Sequence, residues 1–141
     1  MDKQYKLVIF DADGTLTPFR NGVLGEFSYT LLPGVEQKCA ELRKQGVILA
    51  LASNQSARRS SAHVIEQITW TAERLQLRPD LLQVSVDPAT QKPNPYMLLE
   101  IMHKASASPE EVLMVGDAPT DEEAAQAAGV DFCYAAIFFG E

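Results

Sequence analysis

Cysteine is scarce in this chain: Cys39 and Cys133 are the two present in 141 residues, and they stand far apart. Neither has a partner at zinc-ligand spacing, and two cysteines make no disulfide framework. Basic side chains are outnumbered. Twelve Lys and Arg face nineteen Asp and Glu, a net charge of −7 with histidine neutral. That balance argues against a nucleic-acid partner, whose phosphates need a basic face. It does so only for the molecule as a whole, because acids at a metal site are partly neutralised by the cation. No apolar run approaches the ~20 residues of a membrane-crossing helix, so no membrane partner is expected. The opening Met1-Asp2-Lys3-Gln4 lacks a signal-peptide pattern. Repeats and low-complexity stretches are also missing. These absences lead to the expectation of a soluble, cytoplasmic protein.

What is present is core-forming sequence, 46% hydrophobic against 22% charged. That is too apolar for a disordered chain. A chain of ~150 residues buries about 70% of the surface its unfolded form exposes. The length therefore suits one domain, residues 1–141.

Apolar runs alternate with helical stretches. Lys6 to Phe10 is a short run that stops at Asp11, and Val47 to Ala52 is a second that stops at Ser53-Asn54. Leu81 to Val86 reads as a third strand, Val112 to Val115 as a fourth ending at Gly116-Asp117, and Asp131 to Phe139 as a last one. Between them, helical spacing covers residues 34 to 45, Ser56 to Leu77 (whole or broken), Pro95 to Lys104 and Ala124 to Ala128. Ser108-Pro109-Glu110-Glu111 reads as a capped helical turn. Continuous apolar strands are covered on both faces, as in parallel sheets. Strand–helix alternation then predicts an α/β, three-layer, Rossmann-like sandwich around a mainly parallel sheet. In such sheets ligands bind beyond the carboxyl ends of the strands. Asp11, Ser53 and Asp117 occupy those ends and should converge.

Each strand end carries a chemical argument. Asp11 and Asp13 are like charges two residues apart, which raise each other's pKa unless a cation intervenes. A hard divalent ion such as Mg²⁺ prefers carboxylate and carbonyl oxygen. Gly14 lets the chain fold back so that backbone N–H groups face an anion. Ser53-Asn54-Gln55 offers a hydroxyl and N–H groups to a phosphate oxygen, although Ser is also an ordinary helix cap. Lys92 is flanked by Pro93 and Pro95, which constrain the backbone around it in a way that suits a lysine aimed into a pocket. Asp117 and Asp121 are four apart, with Asp121 placed to open a helix where its charge suits the dipole. Glu122 and Glu123 read as ordinary first-turn acids.

The set Asp11-x-Asp13-Gly14-Thr15, Ser53, Lys92-Pro93-x-Pro95 and Gly116-Asp117-x-x-x-Asp121 resembles the haloacid dehalogenase-like hydrolase superfamily. The resemblance spans nearly the whole chain, with the motifs in family order. It implies a Rossmann-like fold, bound Mg²⁺ and phosphoryl transfer through an aspartyl-phosphate. By the same resemblance Asp11 is the nucleophile. Asp13 is the acid and base, with its backbone carbonyl on the metal. Ser53, Asn54 and Lys92 hold phosphate, and Lys92 also neutralises charge at the nucleophile. Asp117 completes the metal shell, and Asp121 binds at the metal or orients a metal-bound water or Lys92. Asp rather than Thr at position 13 favours a phosphatase or mutase over ion-pumping relatives.

The segment Pro18 to Gly34 leaves little room for an inserted cap, so the chain resembles capless members. These include histidinol-phosphate, heptose-bisphosphate and polynucleotide 3′-phosphatases. The first two usually carry a Cys/His zinc loop that is lacking here, which counts against their substrates. The leading expectation is a Mg²⁺-dependent phosphomonoesterase acting on a small-molecule or macromolecular ester. A polynucleotide 3′-phosphatase is an alternative that the charge disfavours. A non-catalytic phosphoreceiver or binding module is another, with Asp87 as its acceptor. His63 and His103 read as surface or structural residues. Cys39 and Cys133 are core candidates, and Trp70, Phe132, Tyr134, Phe138 and Phe139 are expected to pack on the sheet. The terminal Phe138-Phe139-Gly140-Glu141 is alternatively an apolar tail that could mediate a homo-oligomer. Arg20, Arg58 and Arg59 are candidates for a second anionic contact on the substrate.

Overall fold

The computed structural model describes residues 3–19 and 27–140. Five parallel strands form one sheet: β1 (Leu7–Phe10), β2 (Ile48–Asn54), β3 (Leu82–Ser85), β4 (Val112–Gly116) and β5 (Asp131–Tyr134). Their spatial order is β3-β2-β1-β4-β5. Strand β1 is central, with Leu7 in register with Ile48 on one side and Val112 on the other. Every residue of β1 and β4 is buried, which explains why their sequences are unbroken apolar runs rather than alternating ones.

The helices are α1 (Val35–Lys44), α2 (Ser61–Leu75), α3 (Tyr96–Ala105), α4 (Pro119–Ala128) and the short α5 (Ala135–Phe138). Alternate strand residues feed two cores. Val8, Phe10, Leu49, Leu51 and Val115 pack with α1, α2 and α5, while Leu7, Ile9, Ala50 and Met114 pack with α3 and α4. Phe10 is fully buried, stacked on Phe139 at 5.9 Å and edge-on to Phe138 at 6.1 Å. Truncating such a buried phenylalanine costs about 3–5 kcal/mol, so the residue just before Asp11 is firmly anchored.

Several elements depart from the expected boundaries. The last apolar stretch is a strand only to Tyr134, after which the chain turns into α5. Phe138 and Phe139 fold back onto the α1–α2 core, so they are not a free apolar tail. Helix α4 begins at Pro119, ahead of the apolar spacing from Ala124 and with Asp121 and Glu122 in its first turn as their charge suggests, because Pro is well suited to the first helical position. Helix α2 begins after Ser60, whose hydroxyl accepts from the His63 N–H at 3.1 Å. Ser56 to Ser60 form a turn region instead of a longer helix. Trp70 meets Phe27 and Tyr29, at 5.3 and 6.0 Å, rather than the sheet. His63 and His103 are exposed, and Cys39 is in the core, as expected. Among the described residues no helix is long and apolar enough to cross a membrane.

Chain direction reverses its progress across the sheet at β1, since β2 and β3 lie to one side and β4 and β5 to the other. The loops leaving β1 and β4 therefore part at the switch point, where open α/β sheets form a crevice.

Candidate active site

Asp11 follows β1 directly, and its N–H donates to Val115 O at 3.0 Å, tying the loop to β4. The loop then turns tightly, with Thr15 and Leu16 N–H groups returning to Ala12 O at 3.1 and 2.9 Å. Gly14 has a φ of 81°, and a Cβ there would collide with the Asp117 carboxylate and the Phe19 ring. Glycine is thus demanded twice, by backbone conformation and by the closeness of Asp117. The buried Thr15 hydroxyl donates toward Asp11 Oδ2 at 3.3 Å and Asp117 Oδ1 at 3.4 Å. It joins the two strand ends.

Lys92 is 4% exposed, and its Nζ lies 2.9 Å from Asp11 Oδ1, 2.7 Å from Asp121 Oδ1 and 2.7 Å from Ala52 O. All three ammonium protons thus have acceptors, which is what a buried lysine requires. Its backbone is held as well. Asn54 Oδ1 accepts from the Lys92 N–H and Asn54 Nδ2 donates to Lys92 O, both at 2.9 Å. Burial pushes the Asp11 carboxyl up to about 6, opposed by Lys92 and reinforced by Asp117. Burial also raises Asp121, again against the pull of Lys92. For Lys92 burial works against the charge, but Asp11 and Asp121 outweigh it and the proton is held more tightly than in an ordinary lysine.

Asp121 has a second task. Its Oδ2 accepts from the N–H groups of Asp117 and Ala118, each at 3.1 Å, at the start of α4. Gly116 makes room for this, since a Cβ there would stand 2.6 Å from Asp121 Cβ. Carboxylate oxygens of Asp11, Asp117 and Asp121 lie within 4.8 Å of one another. Hard oxygens from three acids, with the Thr15 hydroxyl beside them, suit a divalent cation of the Mg²⁺ type. With both oxygens of Asp121 already engaged by Lys92 and the α4 N–H groups, Asp11 and Asp117 are the better placed of the three.

Asp13 stands apart from that acidic group. Its Oδ1 accepts from Gln67 Nε2 at 2.7 Å and its Oδ2 from Gln55 Nε2 at 3.4 Å. Gln55 Nε2 also donates to Ser53 Oγ at 2.8 Å, and Ser53 is 1% exposed. Arg59 Nη1 donates to Gln55 Oε1 at 2.9 Å and to Gln67 Oε1 at 2.8 Å. Arg59 is buried among these amides, whereas Arg58 is exposed. Arg20 lies outside the described residues.

Three side chains of the site had no role assigned from sequence: those of Thr15, Gln55 and Gln67. For Gln67 a signal existed. Val64, Ile68, Ala72 and Leu75 mark the buried face of α2, and Gln67 and Thr71 fall on that face by spacing. A polar pair within an apolar stripe asks for partners.

The sequence family described as haloacid dehalogenase-like hydrolase matches residues 21–135. The chain belongs to this family. The match begins beyond the Asp11–Asp13 loop, yet the structure brings that loop to Lys92 and Asp117 in the matched part. The phosphoglycolate phosphatase of Pseudomonas putida KT2440 is 36% identical over 98 residues, 70% of this chain and 34% of that enzyme. A plasmid-borne phosphoglycolate phosphatase of Cupriavidus necator H16 is 32% identical over 113 residues, 80% of this chain and 45% of its own length. The chain therefore spans less than half of these relatives. Among solved structures, the D,D-heptose 1,7-bisphosphate phosphatase of B. bronchiseptica, complexed with magnesium and phosphate, superposes with a TM-score of 0.77. It is 28% identical, with 90% of this chain and 78% of that one covered. Among the described residues, Asp11, Asp117 and Asp121 are the group that could hold a metal ion.

Proposed function

We propose that this protein is a phosphomonoesterase that transfers the phosphoryl group of an ester to Asp11 and then to water. The observation that carries the reading is Lys92, buried and bridging Asp11 to Asp121 beside Asp117 at the switch point of the sheet. Phosphoryl transfer needs in-line positioning and charge neutralisation more than elaborate covalent chemistry, and a buried lysine beside three carboxylates that could hold a cation accords with the second need. The phosphatase names of the relatives and the 28% identical heptose-bisphosphate phosphatase point the same way.

In the first step an Asp11 carboxylate oxygen attacks phosphorus, the ester P–O bond breaks, and Asp13 gives its proton to the departing oxygen. In the second, water attacks the aspartyl-phosphate. Asp13 takes the water's proton, the bond between phosphorus and the Asp11 oxygen breaks, and inorganic phosphate leaves. Splitting the reaction in two lowers each barrier. Lys92 holds Asp11 in place and balances charge on the phosphate. Ser53 and the backbone of Asn54 are the proposed contacts to phosphate oxygens, since the Asn54 amide itself is taken by the Lys92 peptide. Asp11, Asp117 and the Asp13 carbonyl would hold Mg²⁺, with Asp121 orienting Lys92. When bound, the cation neutralises charge gathering on the phosphate.

We further place this activity on a single capless domain in the cytoplasm, acting on a small phosphate ester. The two free cysteines accord with a reducing compartment. The net charge of −7 accords with a partner other than nucleic acid. A phosphoreceiver role gains no support: β3, which leads to Asp87, pairs with β2 at the sheet edge, and the acids gathered with Asp11 are Asp117 and Asp121.

The test is phosphate release from a panel of sugar, glycolate, nucleotide and 3′-phosphorylated oligonucleotide esters, with Mg²⁺ or with EDTA, beside Asp11→Asn. Turnover that requires the cation and disappears in Asp11→Asn is expected. Release that survives Asp11→Asn would overturn the assignment, and absence of release from folded protein on every ester would end the phosphatase reading.

A further inference from the structure

We infer that Arg59, Gln67 and Gln55 form a positioning clamp that sets the orientation of the Asp13 carboxylate. The inference rests on the proposed role of Asp13 and deepens it. Arginine has five N–H donors and no acceptor. Arg59 Nη1 donates to the Oε1 atoms of both glutamines, at 2.9 Å for Gln55 and 2.8 Å for Gln67. Each amide must therefore turn its oxygen to Arg59 and its NH₂ the other way. The other way is Asp13, where Gln67 Nε2 reaches Oδ1 at 2.7 Å and Gln55 Nε2 reaches toward Oδ2 at 3.4 Å. A donor-only group at one end thus dictates two donors at the other. Both oxygens of Asp13 are engaged from sites remote in sequence, and the plane of the carboxylate is set.

The clamp is deeply seated. Gln67 is 0% exposed, Gln55 3% and Arg59 7%. A buried amide stabilises little by itself and is costly when unpaired, so packing alone would favour an apolar residue at position 67. The side chains come from the β2–α2 connection and from α2. Gln91 Nε2 fixes the same connection by donating to Gln55 O at 2.8 Å and Ser85 O at 2.9 Å.

The chemical consequence concerns the leaving group. Proton donation matters most for esters whose departing oxygen is strongly basic, such as alkyl phosphates, and least for nitrophenyl phosphate. A group that orients the acid should therefore be felt as a substrate-dependent loss. A merely structural residue would lower turnover of both esters alike.

The experiment compares kcat/KM for an alkyl phosphate and for nitrophenyl phosphate in the wild type, Asp13→Asn and Gln67→Glu. Gln67→Glu keeps the shape and the bond to Arg59 but replaces the donor facing Asp13 by an acceptor. The alkyl-to-aryl ratio should fall at least about tenfold in Gln67→Glu, and further in Asp13→Asn. A fall in Asp13→Asn with equal losses on both esters in Gln67→Glu would overturn the clamp and leave the proposed function standing. An unchanged ratio in Asp13→Asn would remove the acid role itself. Should Gln67→Glu not fold, Arg59→Lys provides the second arm, since one ammonium cannot reproduce the guanidinium's geometry. It should shift the ratio in the same direction, and equal losses there count against the clamp in the same way.

Discussion

Asn54 and Lys92 are joined by two hydrogen bonds of 2.9 Å, the side-chain amide of one reading both the N–H and the carbonyl of the other. The pairing links the end of β2 to the loop before α3 and aims the Lys92 side chain between Asp11 and Asp121. Asn54→Ala removes both bonds and leaves the loop to wander. A misplacement on the order of 1 Å can cost about a hundredfold in rate, so we expect kcat to fall about 10- to 100-fold on a Mg²⁺-dependent substrate. Steady-state kinetics check this, and a rate within twofold of wild type would show that Lys92 finds its place unaided.

Lys92→Met should be felt in stability before it is felt in rate. Breaking a buried ion pair by removing one partner typically costs about 3–5 kcal/mol. Here two buried acids, Asp11 and Asp121, would lose their cation. Added Mg²⁺ offsets the same repulsion, so it should raise the melting temperature of Lys92→Met more than that of wild type. Thermal melts with and without Mg²⁺ measure the difference, and equal gains would contradict it.

The Asp11 carboxyl, raised by burial to about 6 in the metal-free protein, has a consequence for pH. Its folded pKa exceeds the unfolded one, so between roughly pH 4 and 6 the native state binds the extra proton. Metal-free stability should therefore decline as pH rises through that window. Binding of Mg²⁺ must displace the proton, so affinity should weaken by about tenfold per pH unit below the Asp11 pKa. Calorimetric titration of Mg²⁺ at pH 5 and 7 tests this, with Asp11→Asn as the control in which the dependence should flatten.

Gly116→Ala probes the joint between β4 and α4. Its new methyl would stand 2.6 Å from Asp121 Cβ, so Asp121 must move off the Asp117 and Ala118 N–H groups or off Lys92. The expected result is a protein that folds with a lower melting temperature and has at least about tenfold lower kcat, consistent with a lost positioning contact. A variant of wild-type activity would mean that the β4–α4 turn relaxes without disturbing Lys92.

Much of the architecture is legible in the amino-acid sequence. Unbroken apolar runs at residues 7–10 and 112–115 correspond to the doubly covered central strands, and the helices fall close to their expected places. The polar strand ends at Asp11 and Asp117 do meet. Residues 135–139 read as a continuation of the final strand because such an apolar run has no period that separates strand from short helix. There the turn into α5 is decided by Phe138 and Phe139 closing over Phe10. Apolar spacing marks α4 only from Ala124, because its first turn is acidic and proline-led; there the acids from Asp121 onward, read as helix-opening charges, are the signal, and the helix begins two residues before them.

The sequence by itself determined the chemical inventory: acids, a proline-flanked lysine and a serine placed at the ends of apolar strands, in an order that resembles one hydrolase family. Hydrophobic periodicity and chain direction suffice for that, since both are local properties. The tertiary structure alone decided the partners. It gave the Asn54 amide to the Lys92 peptide, separated buried Arg59 from exposed Arg58, and brought Gln67 from α2 to Asp13. Hydrogen-bond partnership depends on distances between segments tens of residues apart. Those distances exist only once the sheet and helices have packed.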